Sequence, residues 1–160
     1  MMRASMLPFL FLAFATPALA QPQGLGAYGS WAAFRGAGRC YAIAEPFQAS
    51  GGRDAQPFAS VGSWPGRGSQ LHVRLSRATR GGSAVLLRVD GRLFQLVGGG
   101  RDAWAPDGRA DAEIQAAMRA GIDLTVETRA TDGLLVRDQY RLRGAATAMD
   151  AAAIACARRR

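Results

Sequence analysis

Apolar and polar residues alternate with a period of two along much of the chain, which predicts a protein built mainly of β-strands. Leu71, Val73 and Leu75 alternate with His72 and polar neighbours. The same alternation recurs in the ranges 85–89, 122–128 and 134–142. A strand with one apolar and one polar face is half buried. We therefore expect a sheet with one face on a hydrophobic core and the other face in water.

Turn residues between these segments predict antiparallel hairpins. Asp90 and Gly91 join two strands, and an Asp-Gly pair favours a two-residue hairpin because it tolerates positive φ. Gly-rich turns predict two further hairpins. The paired segments are 31–34 with 39–44, and 122–129 with 134–142. A strand over 58–64 completes the set, whereas the ranges 21–30, 47–56 and 98–108 are predicted to be irregular because they are rich in Gly, Ser and Pro.

Two segments have helical character. Asp111 is a predicted N-cap for a helix that runs to Ala120 and ends at Gly121. After Gly144 the chain reads AATAMDAAAIAC, and its alanine content favours a helix. One stripe of this helix is predicted to face the sheet. The stripe comprises Ala145, Met149, Ala152 and Cys156.

The first twenty residues have the pattern of a secretory signal peptide. Arg3 precedes an apolar run over 6–14, and the segment ends in a small-x-small pattern at Ala20. We expect cleavage between Ala20 and Gln21, which leaves a single domain over 21–160. The apolar run is too short to span a bilayer. Gln21 is not a cysteine, so a lipoprotein is not expected. The predicted location is the periplasm, with outer-membrane association or secretion left open.

The chain has two cysteines, Cys40 and Cys156, and no Cys-x-x-Cys spacing. In an exported protein of this size such a pair favours a disulfide over a metal or redox site. A bond that closes a loop of more than about 100 residues stabilises a fold by about 4 to 5 kcal/mol in the chain-entropy model.

The net charge of +8 comes entirely from arginine, since the chain contains no lysine. The arginines are scattered singly, except for the run over 158–160. This distribution does not indicate specific nucleic-acid binding. It is compatible with weak contact with an anionic membrane surface. We expect no transmembrane segment.

Candidate catalytic residues are few. The single histidine, His72, lies on the polar face of a strand, and no serine occupies a Gly-x-Ser-x-Gly elbow. Asp138 interrupts the apolar face of its strand, so it needs a partner, either an arginine or backbone donors, or else a bulge that turns it outward. Candidate nucleophiles for His72 are Ser60, Ser63, Ser69, Ser76 and Ser83. These residues leave open a small periplasmic hydrolase that uses His72 or Asp138.

Other chemistry finds little support in the sequence. One histidine and two paired cysteines leave too few ligands for a metal site, so we expect no metal and no cofactor. The glycines at 98–100 lack the Lys-Ser/Thr of a phosphate-binding loop. Glu45, Glu113 and Glu127 each have an ordinary structural position. Trp31, Trp64 and Trp104 are core or rim residues, and exposed ones would mark a partner surface.

Three segments carry a resemblance to a known family: WAAFRGAGRCYAIAEP, DAWAPDGRADAEIQAAMRAGIDLTVE and DGLLVRDQYRLRGAATAMDAAAIAC. Together with the signal peptide they resemble the invasion-associated locus B family of alphaproteobacterial exported proteins. The resemblance implies a small, mostly antiparallel β domain in the periplasm or envelope, with no established catalytic activity. Family members often carry a further cysteine soon after the first tryptophan. Residues 32–35 contain none, which excludes a second disulfide here.

The sequence thus predicts an α+β fold, mainly antiparallel β, as a sandwich or partly closed barrel with two short helices and one disulfide. The predicted function is a non-catalytic envelope protein that binds an unknown envelope or host protein, or supports the envelope. A hydrolase and a carrier of a small apolar ligand in the sheet interior are the alternatives.

Overall fold

The structure, a computed structural model, describes residues 21–51, 55–66 and 68–157. The predicted signal peptide, up to and including Ala20, and the arginines at 158–160 lie outside the described residues. In chain order the described elements are β1 (Gln23–Tyr28), β2 (Trp31–Gly36), β3 (Arg39–Ala44), β4 (Phe58–Ser63), β5 (Ser69–Arg74), β6 (Val85–Val89), β7 (Arg92–Gly99), β8 (Asp102–Trp104), α1 (Gly108–Ala120), β9 (Asp123–Arg129), β10 (Leu135–Arg141) and α2 (Ala145–Ala157).

The ten strands form one antiparallel sheet in the order β1-β2-β3-β4-β5-β8-β7-β6-β9-β10. The sheet curls until its two ends meet. Ser30 donates from its backbone N–H to the carbonyl oxygen of Arg143 at 3.0 Å, and the Trp31 indole Nε1 donates to the carbonyl oxygen of Arg141 at 2.9 Å. Within the described residues no ladder joins β1 to β10, so the sheet remains open. The predicted fold class is confirmed.

The inward face of the curled sheet holds the hydrophobic core, and both helices pack on it. α2 packs against β1 to β4, and α1 packs against β5 to β7 and against α2. The predicted stripe of α2 is buried along its length, and so is the apolar face of α1. The largest fully buried side chains are Trp31, Tyr140, Leu71, Leu75, Leu87, Ile114, Met118, Leu124, Val61, Val73, Val85 and Val89.

A disulfide joins β3 to α2. Cys40 and Cys156 are both buried, with their Cα atoms 5.8 Å apart. This Cα separation lies within the range that a disulfide requires. The bond fixes the C-terminal helix on the inward face of the sheet.

The start of α1 differs from the prediction. Asp107, not Asp111, is the N-cap, and its carboxylate accepts from the backbone N–H of Ala110 at 2.8 Å. Asp111 lies one turn into the helix and is buried, where it accepts from the backbone N–H of Leu71 at 3.0 Å. β8 pairs only with residues 72–74 of β5, so it does not reach Leu71. The Asp111 carboxylate accepts the hydrogen bond of the Leu71 N–H in place of a strand partner.

Two strands lie in ranges predicted to be irregular. β1 is glycine-rich, with an irregularity in its pairing between Gly24 and Gly26, and β8 has three residues. Neither segment alternates over enough residues to give a strand signal. Pairing with neighbouring strands makes these segments extended: β1 pairs with β2, and β8 pairs with β5 and β7.

Gly144 links β10 to α2 at a point where the chain passes very close to the β1–β2 turn. Its φ is +92°, and a Cβ atom there would lie 1.7 Å from the carbonyl oxygen of Tyr28. Only glycine fits this position. The close approach allows α2 to turn directly back over the core.

Candidate binding surface

Aromatic side chains occupy outward positions of the sheet that the alternation pattern leaves to water. They are distributed over β2, β3, β4, β5, β8 and the residue after β4, and each is partly exposed. We call this surface the aromatic face. Its members are Phe34, Tyr41, Phe58, Trp64, His72 and Trp104.

Cross-strand pairing places these rings side by side. Phe34 is the register partner of Tyr41, and their ring centroids lie 5.5 Å apart with an interplanar angle of 24°. His72 is the partner of Trp104, and their rings are nearly parallel at 5.1 Å. Stacked cross-strand pairs stabilise a sheet and hold both rings in fixed positions. The aromatic face is therefore a preformed surface.

The remaining rings extend the face along β4. Phe58 presents its ring to His72 in an edge-to-face contact at 5.1 Å. Trp64 folds back over Gly62, where a Cβ atom would come within 2.8 Å of the indole ring. Trp31, in contrast, is a core residue. Two of the three tryptophans, Trp64 and Trp104, thus lie on one partly exposed surface.

Charged side chains border the rings. The Arg39 guanidinium lies 5.2 Å from the centre of the Tyr41 ring. Asp102 Oδ1 lies 2.9 Å from His72 Nε2 and 3.7 Å from Arg74 Nη1. Aromatic and arginine side chains together are the composition that protein interfaces favour.

The arrangement around His72 does not form a Ser-His-Asp system. Ser60 is the register partner of His72, but its hydroxyl donates to the main-chain oxygen of His72 at 3.4 Å. The imidazole Nε2 of His72 is hydrogen-bonded to Asp102 Oδ1. An activated nucleophile needs a hydrogen bond to its base. Within the described residues His72 has no serine hydrogen-bonded to its ring.

The other candidate serines have structural contacts. The Ser69 hydroxyl donates to Gln115 Oε1 at 2.7 Å, and the Ser76 hydroxyl bonds to Asp138. Ser63 lies at the end of β4, and Ser83 lies in a turn that Arg80 closes. None of these contacts brings a serine to the imidazole of His72.

Asp138 is fully buried on the inward side of β10. Its carboxylate accepts from the backbone N–H of Ser76 at 2.7 Å, from the Ser76 hydroxyl at 2.5 Å and from the backbone N–H of Ser50 at 3.3 Å. The partners are neutral donors and not an arginine. Asp138 therefore anchors the segment over 47–51 and the end of β5 to β10.

The glutamates have separate positions. Glu113 pairs with Arg109 on α1, and Glu127 pairs with Arg137 across β9 and β10. Glu45 is exposed after β3. No two of them form a carboxylate pair on the described part of the chain.

The interior contains packed side chains, since the buried apolar residues form one continuous cluster. This packing gives no support to a carrier of an apolar ligand. No group of three or more His, Cys, Asp or Glu side chains suited to a metal ion occurs in the described ranges. Among the described helices none is long and apolar enough to cross a membrane.

No protein-family model and no curated protein matches the sequence. Among solved structures, the chain matches the crystal structure of invasion associated protein B from Bartonella henselae with a TM-score of 0.57. The match covers 81% of this chain and 93% of that chain. The fold is that of invasion associated protein B. The two sequences are 18% identical, so the likeness to invasion associated protein B concerns the fold. At that level the resemblance to the invasion-associated locus B family is confirmed.

Proposed function

We propose that this chain is a non-catalytic envelope protein, related to the invasion-associated locus B family, which binds a protein partner through its aromatic face. The aromatic face is the observation that carries the proposal. Partly exposed aromatic rings with bordering arginines are the residue types that dominate binding energy at protein interfaces. Because the rings are held by cross-strand stacking, binding costs little side-chain entropy.

The proposal includes export. A signal peptide over 1–20, cut between Ala20 and Gln21, would deliver the domain over 21–160 to the periplasm. A disulfide between Cys40 and Cys156 suits that oxidising compartment. The resemblance of the sequence to the invasion-associated locus B family of exported proteins implies the same location. Mass spectrometry of the protein recovered from the periplasm should give a chain that begins at Gln21.

The partner can be sought by crosslinking in intact cells followed by affinity capture. We expect the native chain to capture a specific envelope or host protein, and the double variant Tyr41→Ala with Trp104→Ala to lose it. Ile122→Ala is the matched control, because Ile122 is 71% exposed and lies between α1 and β9, outside the strands that carry the aromatic face. Capture of the same protein by the double variant at the level of the control would refute the proposed role of this face.

A further inference from the structure

The outward face of β6, β9 and β10 differs from the aromatic face, because charged side chains recur along it. Two cross-strand ion pairs lie on it. Arg137 Nε is 2.6 Å from Glu127 Oε1, and Arg141 Nη1 is 2.8 Å from Asp123 Oδ1. Each of these two arginines thus has a carboxylate partner on the neighbouring strand.

Between the two ion pairs lies a third cross-strand row of side chains, and this row contains no carboxylate. Arg88 is the register partner of Thr125, and Thr125 is the register partner of Gln139. These two neighbours are neutral. Within the described residues Arg88 forms no ion pair, although β6 borders β9, the strand that supplies the carboxylates of the two ion pairs.

The three rows line a groove of about 440 Å³, and Phe47 forms part of its wall. The Phe47 backbone N–H donates to the carbonyl oxygen of Gln139 at 2.9 Å, which holds the residue beside β10. The Arg141 guanidinium lies 4.2 Å from the centre of the Phe47 ring. Phe47 is 51% exposed, so the groove also offers an apolar surface.

The charges of the groove select the ligand. Its three guanidinium groups face two carboxylates, which leaves one positive charge in excess, on Arg88. A single carboxylate neutralises that excess, whereas a phosphate dianion would leave a net negative charge. The planar fork of an arginine binds a carboxylate with two hydrogen bonds. Thr125 and Gln139 can add further donors from the same row.

We propose that this groove binds a carboxylate of an acidic peptide segment, with Arg88 as the anchor and Phe47 as the contact for an apolar neighbour of the acidic residue. This inference deepens the proposed function, because it rests on a protein partner and names the chemistry of a second contact. The partner would then combine an apolar surface for the aromatic face with an acidic segment for the groove.

The test uses the mature chain and a blocked peptide, acetyl-Gly-Glu-Leu-Gly-amide, with the matched glutamine peptide as a comparison. In a titration followed by amide NMR, we expect the acidic peptide to shift the signals of Arg88, Thr125 and Gln139, and the glutamine peptide to shift them far less. Arg88→Gln should weaken binding by about tenfold or more, which is the scale of a lost charged hydrogen bond. Arg88→Lys, which retains the charge without the fork, should bind with intermediate affinity.

Arg109→Gln is the matched control, since the Arg109 side chain is 90% exposed on α1. Equal affinities of Arg88→Gln and this control would overturn the inference. Tighter binding of inorganic phosphate than of the peptide would overturn the assignment to a carboxylate. The double variant of Tyr41 and Trp104 should retain peptide binding, which separates this test from that of the aromatic face.

Discussion

Asp138 shows how one buried carboxylate joins segments that are distant in the sequence. The residue is inaccessible to solvent, and three donors from Ser50 and Ser76 surround its carboxylate. The Ser76 hydroxyl also accepts from the backbone N–H of Gly51 at 3.1 Å. That hydroxyl proton must therefore point to Asp138. The three donors all have an acceptor only if both side-chain oxygens at position 138 can accept hydrogen bonds.

We predict that Asp138→Asn destabilises the fold by about 2 to 3 kcal/mol. An asparagine has one acceptor oxygen, and its amide group would face a donor of Ser50 or Ser76 in a buried site, which leaves polar groups unpaired. Urea unfolding of the purified chain measures the difference in the free energy of unfolding.

The matched control for this substitution is Asp132→Asn. Asp132 is exposed in the turn between β9 and β10, where the backbone N–H of Leu134 and the Arg77 side chain hold its pKa below the usual value. The substitution Asp132→Asn should lower the free energy of unfolding much less than Asp138→Asn does. Equal losses for the two variants would contradict the structural role of the buried network.

At the scale of elements, α2 depends on tertiary contacts. It is 13 residues long, and its first and last turns lack the acidic and basic residues that would stabilise its ends. An isolated helix of this length is marginal in water. The inward face of the sheet and the bond to β3 therefore hold it in place.

Replacing both Cys40 and Cys156 by alanine should lower the free energy of unfolding by about 4 to 5 kcal/mol in the chain-entropy model. Hydrogen exchange should increase first in α2, because the bond attaches this helix to β3. Urea unfolding with and without reductant provides the measurement. The native chain should lose stability on reduction, and the double variant should not respond. A native chain with the same unfolding midpoint in reductant would contradict the prediction.

For the whole molecule, the charge composition predicts an unusual pH profile. The chain has no lysine, and arginine keeps its charge at all accessible pH values. Because the cysteines are bonded, tyrosine is the remaining side-chain type whose ionisation can make stability depend on pH in alkali. Burial, and then the charge of Asp138, raises the pKa of Tyr140 above its ordinary value of 10.0.

We predict that this tyrosine limits stability in alkali. Below pH 10 the folded and unfolded chains both retain its proton, and its contribution to stability is complete. Above pH 10 the unfolded chain releases the proton while the folded chain retains it, so stability falls by up to about 1.4 kcal/mol per pH unit. Urea unfolding between pH 8 and pH 11 would measure this loss.

Tyr140→Phe is the control for the alkaline series. The Tyr140 hydroxyl is buried without a partner among the described atoms, so its removal should leave stability at neutral pH unchanged or slightly higher. The variant should lose much of the decline above pH 10. If the free energy of unfolding of the variant falls equally above pH 10, groups other than Tyr140 cause the loss of stability.

The sequence by itself determined the central hairpins, the apolar faces of α1 and α2, and the fold class with its disulfide. These features depend on local alternation, on turn residues such as Asp90 and Gly91, and on the presence of only two cysteines. The alternation also showed that Asp138 was out of pattern, but not that neutral donors from distant segments would surround it.

Only the tertiary structure decided the strand partners of β1 and β8, the position of Asp111 at the end of a strand, and the two outward surfaces. Each of these features joins residues that are distant in the sequence. His72 and Trp104 become neighbours only because β8 pairs with β5. Among the described residues, Arg88 lacks an ion-pair partner only because β6, β9 and β10 align in one register. Local periodicity cannot encode the register between distant strands, which is the physical reason for this division.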